Sequence, residues 1–274
     1  MPARLGAHRW IRIAGFNFQP SELAKLSVIL VLSRFFMSNR PEFISKRKML
    51  IPFVVVGVPF LLILKEPDLG TGLLLLPTFL AMLYLWGLKP KYLLILIAVS
   101  VTLSPALFLC LKEYQRTRLL VFINPNLDPL GAGYTIIQSK IATGSGGFFG
   151  KGFMGGTQNY LQFLPERHTD FIFGVVGEEG GFIASLAIVT LFWCIVKKGY
   201  SISGTTPDGF GSQLACGVTT LIGLQAIINL GMTMGLLPVV GVPLPLVSYG
   251  GTSVIITMIF IGLLLNIKMH RPLF

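Results

Sequence analysis

Five consecutive positions, Glu166, Arg167, His168, Thr169 and Asp170, carry charged, titratable or hydroxyl side chains, and the apolar run that follows holds a second acidic pair, Glu178 and Glu179. A carboxylate beside cations suits one kind of chemistry. It takes a proton from an attacking hydroxyl while the cations stabilise an anionic leaving group. Asp170 stands where polar sequence enters an apolar run, and acidic groups are favoured at helix N-termini, so capping is the plain alternative. A helix continued from there puts Glu178 roughly 12 Å further along the axis and about 80° around it. A carboxylate at membrane depth is either functional or paired with a buried cation, and both readings stand for Glu178 and Glu179.

Three other stretches carry candidate groups. In "FNFQPSELAKL", Pro20 and Glu22 make a sound helix start, and Lys25 falls three residues from Glu22 on the same face. That spacing fits an internal pair or a lysine facing a polar cavity. The glycine-rich "TGSGGFFGKGFMGGT" lacks the order of a nucleotide-binding loop and reads instead as a flexible, backbone-rich contact surface near Lys140 and Lys151. "PLPLVSYGGTS", with Ser248, joins helix-breaking prolines to glycines, as in a broken helix lining a cavity.

The elements that must position these groups follow from composition. The chain has 274 residues, 53% hydrophobic and 12% charged, with a mean hydropathy of +0.75. Soluble domains carry roughly 25% charged residues, so this is a membrane protein. The net charge of +11 fits basic cytoplasmic loops and sites for anionic lipids or phosphates. No soluble domain is available to present that charge to nucleic acid, so nucleic-acid binding is set aside. Cys110, Cys194 and Cys216 lie in apolar segments without metal or redox spacing and read as small buried hydrophobes. The start, "MPARLGAHRW", leads into polar sequence, and no signal peptide is expected.

Apolar runs predict an all-α polytopic fold of about seven helices, near 21–38, 50–64, 71–87, 91–111, 171–197, 213–237 and 246–267. Arg40, Lys46, Arg47, Lys48, Lys89, Lys91, Lys197, Lys198, Lys268 and Arg271 fall in alternate short loops and the tail, which places those loops and the C-terminus in the cytoplasm. The loop at 112–170 then lies outside. It carries Lys112, Arg116, Arg118, Lys140, Lys151 and Arg167 against Glu113, Asp128, Glu166 and Asp170. A loop of that length is functional or disordered, and its mixture of aliphatic, aromatic and glycine residues argues for a packed working face. A basic outer loop, an interfacial carboxylate and polar groups at membrane depth together suit an amphiphilic substrate with an anionic head, such as a lipid-linked diphosphate.

Four strings, "HRWIRIAGFNFQPSELAKL", "EPDLGTGLLLLP", "YQRTRLLVFINPNLDPLGAGYTIIQSKIATGSGGFFGKGFMGGTQNYLQFLPERHTDFIFGVVGEEGGFI" and "GLLPVVGVPLPLVSYGGTSVI", span nearly the whole chain. Through them the sequence resembles the SEDS family, and its RodA branch in particular. The resemblance implies a single membrane domain over 1–274 and a peptidoglycan glycosyltransferase that polymerises lipid II on the outer face of the bacterial inner membrane during elongation. The family's essential aspartate falls on Asp170, as general base on the acceptor's 4-hydroxyl with undecaprenyl diphosphate leaving. A functionally sensitive tryptophan falls on Trp10. The resemblance also implies a class B penicillin-binding transpeptidase and other elongation-complex proteins as partners, and a divalent cation (Mg or Mn). Arg116, Arg118, Lys140, Lys151 and Arg167 are candidate diphosphate contacts from charge and placement, with Glu166, His168 and Thr169 beside them. The family has about ten helices, so three more would precede the first seen here. A lipid II flippase, or a scaffold for a transpeptidase without catalysis of its own, would share these features but would tolerate loss of Asp170.

Overall fold

The computed structural model describes residues 10–13, 16–39, 41, 44–45, 47–66, 68–110, 113–129, 131–156, 163, 166 and 168–270. The chain opens on a hairpin, β1 (Ile11–Ile13) and β2 (Phe16–Phe18), with Ile11 opposite Phe18. Nine helices follow among the described residues. They are α1 (Pro20–Ser38), α2 (Leu50–Lys65), α3 (Leu69–Leu85), α4 (Pro90–Cys110), α5 (Glu113–Ile123), α6 (Ala132–Ser145), α7 (Ile172–Thr205), α8 (Gly209–Thr233) and α9 (Gly251–Met269). Each predicted span contains a helix, so the protein is a helical polytopic membrane protein with one small hairpin added.

Among the described residues, Arg47–Lys65 (α2 with the turn before it), α7, α8 and α9 are long and apolar enough to cross a membrane, and two shorter apolar helices lie at Leu69–Leu85 and Pro90–Val99. Their burial differs sharply. The apolar window of α8 is 83% buried within the protein, whereas that of α7 is 11% buried. A side chain that apolar and left uncovered by the chain needs an apolar surround, whereas the chain itself covers most of α8.

Helix ends depart from the hydropathy reading where capping overrides it. α8 starts four residues before its predicted start because Asp208 accepts from Gly211 N at 2.8 Å and Phe210 N at 3.3 Å. It ends at Thr233, with Gly235 at φ +68 terminating it. The last helix begins at Gly251 rather than near 246, because Pro243 and Pro245 hold the preceding loop out of helical conformation. The loop at 112–170 contains α5, α6 and a 3-10 turn at Pro125–Leu127.

The chain forms two compact units. One gathers the chain through Leu103, Ile195–Gly223 and the segment from Gly251 on; the other comprises Ser104–Cys194 and Leu224–Gly250. In the first, α1 carries the anticipated Glu22–Lys25 pair at 2.7 Å, both side chains almost wholly buried. The internal-pair reading therefore accounts for Lys25. Beside it, Asp68 caps α3 through Thr71 N and accepts from Ser21 Oγ and Gln19 Nε2, which ties α1 to the α2–α3 turn. Trp10, half-buried, precedes β1 in this unit. The second unit packs Phe173 and Phe192 of α7 against Ala226 and Leu230 of α8 and Leu244 beyond it.

Candidate active site

Asp170 lies in the second unit, two residues before α7, and is half-buried. The turn that delivers it closes on Glu166, whose carbonyl accepts from Thr169 N at 3.1 Å and Phe171 N at 3.3 Å. Glu166 holds φ +50, a left-handed conformation that costs energy for a non-glycine residue. Thr169 Oγ1 lies 3.2 Å from Glu166 Oε2 and donates to it. Glu166 and His168 turn their side chains to the surface, and Thr169 is half-buried.

This turn is pinned from the far side by α8 and by the loop between α8 and α9. Asn229 Nδ2 donates to the carbonyl of Asp170 at 2.9 Å and to that of Val242 at 2.8 Å. Ser248 Oγ donates to the carbonyl of Thr169 and accepts from Leu244 N. Tyr249 N donates to the carbonyl of His168 at 2.8 Å. Three consecutive carbonyls, 168 to 170, are thus held by separate residues, and the aspartate is fixed by its backbone. Its side chain faces Gly241, where an added Cβ would sit 3.4 Å from Asp170 Oδ2. A helix N-terminus favours negative charge at that position.

The candidate cations separate into three groups. Arg118, on α5, reaches the carbonyl of Val239 with Nη1 at 3.4 Å, and Lys140, on α6, lays its stem where a side chain at Gly235 would be. Both therefore come to the 235–242 loop that also holds the Asp170 turn. Arg116 is turned away to α4, donating to the carbonyl of Phe108 at 3.0 Å with its guanidinium over that ring. Lys151 pairs with Glu178 at 2.8 Å, the carboxylate wholly buried and the lysine 29% exposed. Glu178 is thus explained by pairing. Glu179 is half-buried, and its carbonyl accepts from Gly152 N. Arg167 lies outside the described residues.

The glycine-rich stretch corrects its reading as a flexible contact surface. Its backbone is hydrogen-bonded into α7, which is broken at Gly181 (φ +64, ψ −158). The broken membrane helix is therefore α7. Asn229 was missed as well, although an amide within the apolar "TTLIGLQAIINLGMT" was the available signal.

A family profile described as cell cycle protein, covering FtsW, RodA and SpoVE, matches residues 1–272. The chain belongs to the SEDS family. Among its relatives, the peptidoglycan glycosyltransferase MrdB of Escherichia coli (strain K12) is 43% identical over 98% of this chain and 72% of that protein. A probable peptidoglycan glycosyltransferase FtsW of Geobacter metallireducens is 41% identical over 97% and 71%. A chain of a solved peptidoglycan synthase complex, studied for its coordination of polymerization and crosslinking, superposes with a TM-score of 0.78 at 32% identity, covering 96% of this chain and 74% of that one. The rod shape determining protein RodA of Thermus thermophilus superposes at 0.68 with 26% identity, over 98% and 72%. The MrdB relative and the RodA structure place the chain with the RodA type.

Among the described residues of this SEDS protein, no three of His, Cys, Asp and Glu come together as a protein-held metal would need.

Proposed function

We propose that this chain is a peptidoglycan glycosyltransferase that polymerises lipid II during cell elongation, with Asp170 as general base. The enzyme class rests on the family and on the activity named for its relatives. The assignment of Asp170 rests on one arrangement: a half-buried carboxylate whose carbonyl neighbours are pinned by Asn229, Ser248 and Tyr249 beside a loop served by Arg118 and Lys140.

The reaction proposed for that arrangement is the one the family resemblance implies. The acceptor's 4-hydroxyl oxygen attacks the anomeric carbon of the donor's N-acetylmuramic acid, and the Asp170 carboxylate takes the hydroxyl proton. The bond from that carbon to the diphosphate oxygen breaks, the diphosphate keeps the electron pair, and the configuration inverts. A diphosphate leaves without being protonated when cations stabilise it, so one carboxylate suffices. Arg118 and Lys140 supply that stabilisation, and Arg167 is a third candidate. Lys151 has the separate duty of neutralising Glu178. The large loop faces the outside of the inner membrane and the C-terminus the cytoplasm, in keeping with the basic short loops. A class B penicillin-binding transpeptidase is the proposed partner, because the peptidoglycan synthase complex that holds the matched relative coordinates polymerization and crosslinking.

The test is lipid II polymerisation by the purified chain, alone and with a matching transpeptidase, beside Asp170→Asn. The substitution is expected to lower turnover by about 10²–10⁴-fold, the range for loss of a general base, while lipid II binding persists. Equal product from both proteins would remove Asp170 as the base. Undiminished lipid II transport by Asp170→Asn in vesicles, with no polymer from either protein, would favour a flippase.

A further inference from the structure

The break in α7 at Gly181 poses a problem that the glycine-rich segment solves. A broken helix leaves carbonyls on one side and amides on the other without helical partners, and at membrane depth each such group is costly. Here the carbonyls of Glu178 and Glu179 accept from Lys151 N and Gly152 N, each at 3.0 Å. On the other side of the break, Phe182 N donates to the carbonyl of Gly147 at 2.9 Å and Ile183 N to that of Phe148 at 3.3 Å. The segment is spliced into the helix. Its approach is so close that an added Cβ at Gly150 would overlap the carbonyl of Glu179, and one at Gly181 the amide of Gly150. The segment's one charged side chain, Lys151, is paired with the buried Glu178.

The side chains point the other way. Phe148, Phe149, Phe153 and Met154 are 61–88% exposed, and the Phe148 ring packs on Phe182 at 5.4 Å, continuing onto the outward face of α7. That face is part of a span whose apolar window is only 11% buried, so lipid covers it. We propose that residues 146–154 form a plug seated in the bilayer rather than a loop above it. The segment's hydrogen-bonding backbone is taken up by the broken helix, and its aromatic and methionine side chains lie among the lipid chains of the leaflet at that end of α7.

The depth can be placed. From Phe182 to Lys197 the helix rises roughly 22 Å at 1.5 Å per residue, and a hydrocarbon core is about 30 Å thick. With Lys197 at the opposite boundary, the plug lies in the outer part of its leaflet, just inside the headgroups. The plug is independent of the proposed chemistry.

The experiment uses the full chain in lipid nanodiscs, with Phe153→Trp and, separately, Phe149→Trp. Emission is read against the unsubstituted chain, whose three native tryptophans set the background. Lipids brominated near the glycerol end of their chains should remove most of the added emission, those brominated near the methyl end less, and aqueous iodide little of it. Quenching by iodide without quenching by bromolipid would overturn the proposal, because the segment would then be in water. Protection from both quenchers would overturn it too, because protein and not lipid would cover the segment. The two positions are checked separately so that one badly tolerated substitution does not decide the result.

Discussion

Two acidic positions, one just before α7 and one within it, meet opposite fates. At the entrance to α7, Asp170 keeps a half-buried side chain, and its turn is held through backbone carbonyls by Asn229, Ser248 and Tyr249. At the break, Glu178 is wholly buried and spends its charge on Lys151. The contrast separates a group built to meet a substrate from one built to complete the fold. A base must present its oxygen to an incoming hydroxyl, and the hydrogen bonds to the main chain fix the turn that presents it. A buried carboxylate needs a cation to be tolerated at all, and a helix break in a membrane needs every amide and carbonyl answered.

Substitutions that break the comparison should therefore read out differently. Asp170→Asn gives the largest effect and an effect on activity alone, with thermal stability in detergent near that of the parent. Lys151→Met strands the buried Glu178 carboxylate and should destabilise the protein by about 3 kcal/mol. The double variant Lys151→Met, Glu178→Gln should recover much of that loss in the same unfolding assay. Equal destabilisation by the single and double variants would show that Lys151 matters for packing and not for charge. Asn229→Leu comes next. It removes the donor shared by the carbonyls of Asp170 and Val242, and turnover should fall roughly 10-fold, equivalent to about 1.4 kcal/mol, with a smaller change in KM. A change confined to KM would place Asn229 in substrate binding instead of in positioning the base.

The sequence made the helices legible because hydropathy over twenty residues is a strong, local signal. The Glu22–Lys25 pair was legible for the same reason, since its members are three residues apart on one helix. What escaped was non-local. The partner of Lys151 is 27 positions away, and an apolar run reads as one continuous helix even where "GEEGGF" breaks it. Helix ends moved where Asp208 capped α8 and where Pro243 and Pro245 delayed α9, both of which are contests between local hydrogen bonding or sterics and apolar content. Asp170 was legible as a carboxylate where polar sequence enters an apolar run, and its role as base came from the family resemblance. The residues that hold it lie at 229, 248 and 249, on elements far along the chain, and only the fold brings them together.

The finest division lies within the loop that faces Asp170. Gly235 (φ +68) and Gly241 (φ +73) hold nearly the same left-handed conformation, so alanine at either should cost the backbone a similar amount, about 1–2 kcal/mol. Their neighbours differ. A methyl group at 241 would rest 3.4 Å from Asp170 Oδ2, whereas one at 235 would displace the Lys140 stem. Gly241→Ala should thus lower kcat a few-fold by crowding the base. Gly235→Ala should instead raise KM by a similar factor through Lys140. Because the backbone cost is shared, thermal stability should fall alike in both, and steady-state kinetics on lipid II should separate them. If both variants moved the same parameter, the base and the diphosphate contacts would not be divided between the two ends of this loop, and the roles assigned to Asp170 and Lys140 would need to be redrawn.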